Sequence, residues 1–397
     1  MKQDWLVLLA GLLIPGPLHS QEIHVSFWDD GRKQVHEEFH FRMEGTDTIR
    51  EGPYKIFYRD GTLWQEGQYE GNQLTGTWYD YYEDGSLRQV LPYVEGKLSG
   101  KLLYYYPDGS LYQESCYTDD TLEGVTVLYH PNGKVSERAH YRNGLRHGSV
   151  EGFHENGIRR YTRQYWNGLG QGLQEVFHEN GKIRERSWMK NGMYHGEFRG
   201  YYKEYDDGTL QKVFFYENGK LQGPYRGYYP SGNRMVDGLY REDSLEGTWT
   251  RYYDRIDQDS MPVVQETGTY RAGKRIGTWR SYYPDGNVHA EGMYQDRKFD
   301  GPWTIYYPGG TIKQQGTYTG GLATGEFLMY YESGKLKNRG QYLDDQKTGT
   351  WITYYESGAV MSEIPFREGK RHGIARAYDE NGKLLETLHY EHGEIVR

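Results

Sequence analysis

The sequence predicts an all-β protein: an elongated, open, single-layer antiparallel sheet made of β-hairpins stacked side by side. Three observations carry this. Glycine recurs every 24 residues at Gly52, Gly76, Gly100, Gly124, Gly148, Gly172 and Gly196, resumes at Gly223 and Gly247, and returns at Gly277, Gly301, Gly325, Gly349 and Gly373. Each opening glycine precedes two apolar runs too short for helices, parted by a turn glycine such as Gly85, Gly310 or Gly382. Tyrosine supplies 41 of 397 residues where aliphatic side chains are scarce, so the core must be thin and built of rings. A period of this length marks a repeat array rather than the two or three globular domains that chain length alone suggests.

The chain divides into three parts. Residues 1–20 stand outside the period: Lys2 gives a short basic start, Trp5 to Ile14 is apolar, and Pro15-Gly16-Pro17 breaks any helix before Ser20 and Gln21. This has the layout of a cleaved secretory signal, cut near Ser20/Gln21, and the run is short for a membrane span. No integral membrane segment is expected once it is removed, and a periplasmic or secreted location follows. Residues 21–51 form a degenerate capping repeat, with Phe27-Trp28 before a turn and Val35, Phe39 and Phe41 alternating as in a strand. Residues 52–397 hold fourteen repeats, with steps of 27 after Gly196 and 30 after Gly247 marking two insertions.

Within a repeat, strand parity assigns faces. In Trp303-Thr304-Ile305-Tyr306-Tyr307, residues 303, 305 and 307 share one face and Tyr306 points to the other. A second glycine column, including Gly67, Gly268, Gly292, Gly316 and Gly340, falls inside the second strand, where glycine ordinarily costs stability. The predicted compensation is a ring from a neighbouring hairpin lying over the gap. One large aromatic covers about 150–250 Å². At roughly 25 cal/mol/Å² that gives about 4–6 kcal/mol gross, before ordering costs.

Repeats such as Gly76-Thr77-Trp78-Tyr79-Asp80-Tyr81-Tyr82-Glu83-Asp84-Gly85 resemble MORN repeats in their bacterial variant form. The resemblance covers about residues 52–397. It implies a sheet of stacked hairpins, often curved into a groove, acting as an interaction or membrane-associated module. Some bacterial members are labelled antitoxins of toxin–antitoxin pairs, a role at odds with an export signal.

The remaining signals mostly exclude chemistry. A net charge of −9 with mixed signs lacks the basic stripe of a nucleic-acid binder. His36-Glu37-Glu38-Phe39-His40 matches a zinc-protease pattern that works only on a helix, whereas its neighbours alternate with period two and set the two histidines about 13 Å apart. His130, His154 and His178 stand in the second-tyrosine column of successive repeats, spaced as a column and not as a ligand cluster. Asp254, Asp257 and Asp259 lack the central glycine of an EF-hand-type calcium loop. Cys116 is the only cysteine and is read as structural. No nucleophile elbow, phosphate loop or Cys–His pair occurs. No metal, no cofactor and no enzymatic activity are therefore expected.

What remains is binding. The most regular rings, Trp249, Trp279, Trp303 and Trp351 with Tyr283, Tyr307, Tyr331 and Tyr355, are the candidate surface, because one sheet layer cannot bury both faces. They either hold the sheet together or stay partly exposed to a ligand. The leading expectation is an exported scaffold binding a protein partner along its sheet. A glycan- or cell-wall-binding module is the alternative, and an antitoxin-like component a further one.

Overall fold

The 24-residue period folds as it does because its glycines and its β-forming rings agree on where strands stop. In the repeat opened by Gly76, the strands Gln73–Tyr81 and Leu87–Val94 pair antiparallel, with Gly76 opposite Tyr93 and Trp78 opposite Leu91. At the turn between them, Tyr82 N donates to Ser86 O at 2.9 Å and Gly85 N to Tyr82 O at 2.9 Å. Gly85 sits at φ 84°, the left-handed position that closes a three-residue hairpin loop. The link to the next repeat, Glu95-Gly96, has both residues at positive φ, the mirror-image turn that suits strand twist.

The computed structural model describes residues 22–29, 31, 33–204 and 208–396. The signal sequence expected over residues 1–20 lies outside the described residues. Among the described residues there are strands and turns only, and every strand pairing is antiparallel between neighbouring segments of the chain. This is the predicted all-β, open, single-layer sheet of hairpins.

The expected use of the strand glycines is borne out in atomic detail. A Cβ built on Gly67 would stand 2.1 Å from Cδ2 of Trp78, the ring of the following repeat. Gly238, Gly268, Gly292 and Gly340 underlie Trp249, Trp279, Trp303 and Trp351 in the same way, and Gly316 underlies Phe327. Each indole thus lies flat on bare backbone. Its edges are closed by tyrosines: Tyr69 meets Trp78 at 5.3 Å and 90°, and Tyr270 meets Trp279 at 5.2 Å and 90°. A cation roofs several rings, with the Arg275 guanidinium 3.9 Å above Trp279 and the Lys347 ammonium 4.2 Å above Trp351.

Where the ring is missing, so is the glycine. Leu91 and Leu102 occupy the two positions in one pair of repeats, and Ala139 lies directly opposite Val150 in another. Ser115 and Thr126 fill them in a third, their hydroxyls 3.1 Å apart. In these junctions two side chains of moderate size share the space that glycine and a ring divide elsewhere.

The chain separates into two compact units, Met1–Gly170 with Glu179–Gly181, and Gln171–His178 with Lys182–Arg397. In the first, a buried ring cluster of Phe39, Tyr54 and Trp78 gives way to the smaller Leu102, Thr126 and Val150. Phe39 lies on the strand Val35–Glu44, directly opposite Tyr54. In the second unit, Phe214 stacks on Tyr225 at 5.0 Å, Tyr225 on Trp249 at 5.8 Å, and Ala323, Phe327 and Trp351 form a buried cluster. The repeat opened by Gly247 has long strands, Gly247–Ile256 and Pro262–Arg271. Its turn lacks glycine, and Ser260 takes positive φ instead (62°).

The packing predicts a measurable coupling. Gly340→Ile places a side chain inside the Trp351 ring and should cost about 1–3 kcal/mol or more by overpacking. Trp351→Ala should cost about 3–5 kcal/mol. Combining Gly340→Ile with Trp351→Ala recreates the Ile364 and Ala375 combination found one repeat later. That double variant should be more stable than the sum of its single changes by about 1 kcal/mol or more. Urea denaturation of the four proteins measures it, and simple additivity would refute the packing exchange between the two positions.

Candidate binding surface

The paired tyrosines divide their work between the two neighbouring hairpins. In several pairs the first hydroxyl reaches back. Tyr81 donates to Glu66 at 2.8 Å, Tyr252 to Asp237 at 3.0 Å and Tyr306 to Glu291 at 2.9 Å. The second reaches forward to a backbone carbonyl. Tyr82 donates to Tyr105 O at 2.8 Å and Tyr229 to Tyr252 O at 2.8 Å. One Tyr-Tyr pair therefore fastens three successive hairpins. At His130, which replaces a second tyrosine, the contact survives, with Nε2 3.1 Å from Phe153 O.

This geometry locates the eight rings singled out from the sequence. Trp279 and Trp351 are 2% and 4% exposed, and Trp249 and Trp303 are half-buried in the same ladder. Tyr283, Tyr307, Tyr331 and Tyr355 are half-buried at the turn edge, and their hydroxyls donate to carbonyls of the next repeat at 2.8, 2.9, 2.7 and 2.9 Å. Trp279 and Trp351 are thus closed from solvent, and the four tyrosine hydroxyls are engaged in holding hairpins together. Tyr306 stands on the face opposite Trp303, joined to Glu291, which pairs with Thr304.

Electrostatics on that opposite face are those of a satisfied network. Arg280, at 2.8 Å, and then the Tyr306 hydroxyl hold Glu291 below the usual carboxylate range. Burial, then Glu291, pushes Tyr306 upward, and burial with Glu66 pushes Tyr81 up to about 12. Among the described residues no group of His, Cys, Asp and Glu could hold a metal ion. His36 and His40 lie on the strand Val35–Glu44, and Asp257 spends its Oδ1 on the backbone amides of Asp259 (3.0 Å) and Met261 (2.8 Å). No helix among the described residues is long and apolar enough to cross a membrane.

The open rings lie elsewhere. In the second unit, Trp188 is 50% exposed and sits opposite Leu173 on the outer face, the one away from buried Gln174 and Ser187, of the strands Gly172–Phe177 and Ile183–Lys190. The two line an open hollow of about 300 Å³. Ion pairs border it: Arg186 Nε lies 2.8 Å from Glu175, and Arg199 is bonded to Glu197, which pushes the arginine's pKa up. In the first unit, Trp166 is 61% exposed, beside His147 at 4.3 Å and paired with the exposed Leu169. Sequence reasoning missed both tryptophans. A signal was present, because each falls 16 or 18 residues after its opening glycine, whereas the ladder tryptophans fall two after theirs.

The sequence profile of the MORN repeat variant family matches residues 50–70, 74–95, 98–119, 122–143, 146–167, 171–191, 275–296, 299–319, 323–344, 347–368 and 371–392, together more than half of the chain. No curated protein matches. Among solved structures, a complex of TcdB2–TccC3 with Cdc42 aligns at 10% identity and TM-score 0.13, over 94% of this chain and 27% of that one. A Photorhabdus luminescens Tc holotoxin pore aligns at 11% identity and TM-score 0.13, over 90% and 23%. The chain spans less than a third of the length of either.

Two outcomes follow from the tyrosine fastenings. Tyr331→Phe removes the donor to Tyr354 O and should lower stability by about 0.5–1.5 kcal/mol in denaturant melts. Alkaline pH should act on the backward bonds of Tyr81, Tyr252 and Tyr306. Burial first, and then the partner carboxylate, raises their folded pKa values above the unfolded value near 10, so this contribution is complete below pH 10 and is lost as pH rises through the folded values. Tyrosinate absorbance and circular dichroism should therefore change together above pH 10, reaching into the range near 12. Free titration at the ordinary tyrosine value with the sheet intact would contradict this.

Proposed function

The chain belongs to the MORN repeat variant family, and on that premise we propose that it is a non-catalytic scaffold that docks a protein partner on the outer face around Trp188. The observation that carries this reading is the position of Trp188. In a chain whose regular tryptophans are packed over glycine, this one stands half exposed beside an apolar neighbour inside a rim of ion pairs. An exposed indole surrounded by polar groups is the usual layout of a protein-binding hot spot. The absence of catalytic motifs and the repeat architecture support a scaffold. The apolar run before Pro15 supports a site of action outside the cytosol.

The test pairs stability with capture. Trp188→Ala should change stability by no more than about 0.5 kcal/mol, as for an exposed site. It should weaken partner binding by about 2 kcal/mol or more, roughly thirtyfold. Quantitative capture from an envelope fraction, with Tyr331→Phe as a control for stability alone, separates the two effects. Equal recovery of the same protein by wild type and Trp188→Ala would remove Trp188 from the interface.

A further inference from the structure

We propose that the edge of the first repeat holds a second site, an aromatic hollow that binds an alkylammonium cation. It lies where the capping repeat meets the turn after Phe57, has a volume of about 390 Å³, and is lined by Trp28, Tyr58 and Trp64 with Asp60, Glu83 and Arg59. That size is within the range of small-ligand sites, roughly 300–1,000 Å³. Trp28 and Trp64 are 37% and 40% exposed, so two indoles face the hollow instead of lying over glycine.

The rings are held in place. Trp28 Nε1 donates to Phe57 O at 3.1 Å, reproducing with an indole the forward bond that tyrosine makes in later repeats. His36 packs against Trp28 at 4.0 Å, and Tyr58 donates to Tyr81 O at 2.9 Å. Trp64 lies 5.7 Å from Tyr58 with the ring planes 30° apart.

The repeats themselves show what such rings attract. The residue equivalent to Trp64 is a cation over the equivalent tyrosine in several of them: Arg88 at 5.8 Å from Tyr82, Lys313 at 5.5 Å from Tyr307, and Lys337 at 5.2 Å from Tyr331. In the first repeat that position is Trp64, so the edge gains a ring and loses its own cation. Arg59 stands 5.3 Å from the Trp28 ring and forms one wall. Asp60 and Glu83 leave the lining with one net negative charge, and Asp60 stays ionised because Thr62 N donates to it at 2.9 Å. Ring faces with a carboxylate rim favour a weakly hydrated organic cation over a neutral ligand of the same shape.

Calorimetric titration of the full chain with choline tests the proposal. Saturable binding is expected. Trp64→Ala should weaken it about tenfold or more and Trp64→Phe much less. Glu83→Gln should weaken it about threefold through the lost charge. Trp188→Ala should leave it unchanged, so that this site and the protein-docking site succeed or fail separately. The neutral isostere of choline, with tert-butyl in place of trimethylammonium, should bind at least about tenfold more weakly. Co-sedimentation with phosphatidylcholine but not phosphatidylglycerol vesicles would assign the cation to a lipid headgroup. Binding of a trimethyl-lysine peptide without vesicle binding would assign it to a protein side chain. Either supports the site. No saturable binding by the folded chain, equal binding of the isostere, or full affinity in Trp64→Ala would overturn it.

Discussion

At six of its hairpin junctions the sheet depends on a ring lying flat over a glycine. A single-layer sheet has no second layer against which to bury its rings, and exposed rings would leave the strands without a hydrophobic contribution. The chain solves this by omitting side chains at chosen strand positions and laying the next repeat's indole into each gap. Trp78 over Gly67 and Trp279 over Gly268 are each 2% exposed although nothing but their own sheet surrounds them. The arrangement fixes register as well as stability. A slip of one residue would set the ring against a side chain instead of bare backbone, and would move it to the other face.

The tyrosine pairs supply what the ring ladder cannot. The ladder acts on one face, whereas a thin sheet can also splay along its turn edge and shear on its other face. The forward bonds from Tyr82 or Tyr307 close the edge, and the backward bonds from Tyr81 or Tyr306 reach a side chain on the opposite face. Each bond is modest alone. With the forward bond recurring along the edge and the backward bond added in several repeats, they make neighbouring hairpins interdependent, which is how repeat arrays gain cooperativity from nearest-neighbour terms.

Much of this was legible in the sequence, and the remainder divides by physical cause. The period, the turn glycines and the ring over the strand glycine could be read because each is a property of one or two adjacent repeats. The destinations of the tyrosine hydroxyls could not. Tyr283 and Tyr307 looked like open rings because their acceptors lie 23 residues away, on a backbone that carries no residue-specific mark. Trp188 was overlooked because attention to the regular column hides what departs from it. The same tension appears in the family match, which skips residues 192–274 although the hairpins there are intact, including Gly223–Tyr228 paired with Arg234–Arg241. Insertions disturb a profile more than they disturb a sheet, since a longer turn lengthens one hairpin and leaves the next pairing in register.

A division of labour between regular and irregular rings follows from the packing constraint. An indole in the ladder column is bounded by glycine below, tyrosine edges beside it and often a cation above, so it offers no face to a ligand. An indole displaced from that column does not lie flat over a strand glycine. Trp188 lands on the outer face, Trp166 at the edge, and Trp28 and Trp64 around a hollow in which the usual cation of the edge is missing. None of these four fills a glycine gap, and each leaves ring surface open to solvent. Their exposure is therefore not explained by the ring ladder. In a scaffold whose stability is secured by its repeats, the departures from the repeat are the positions free to serve recognition.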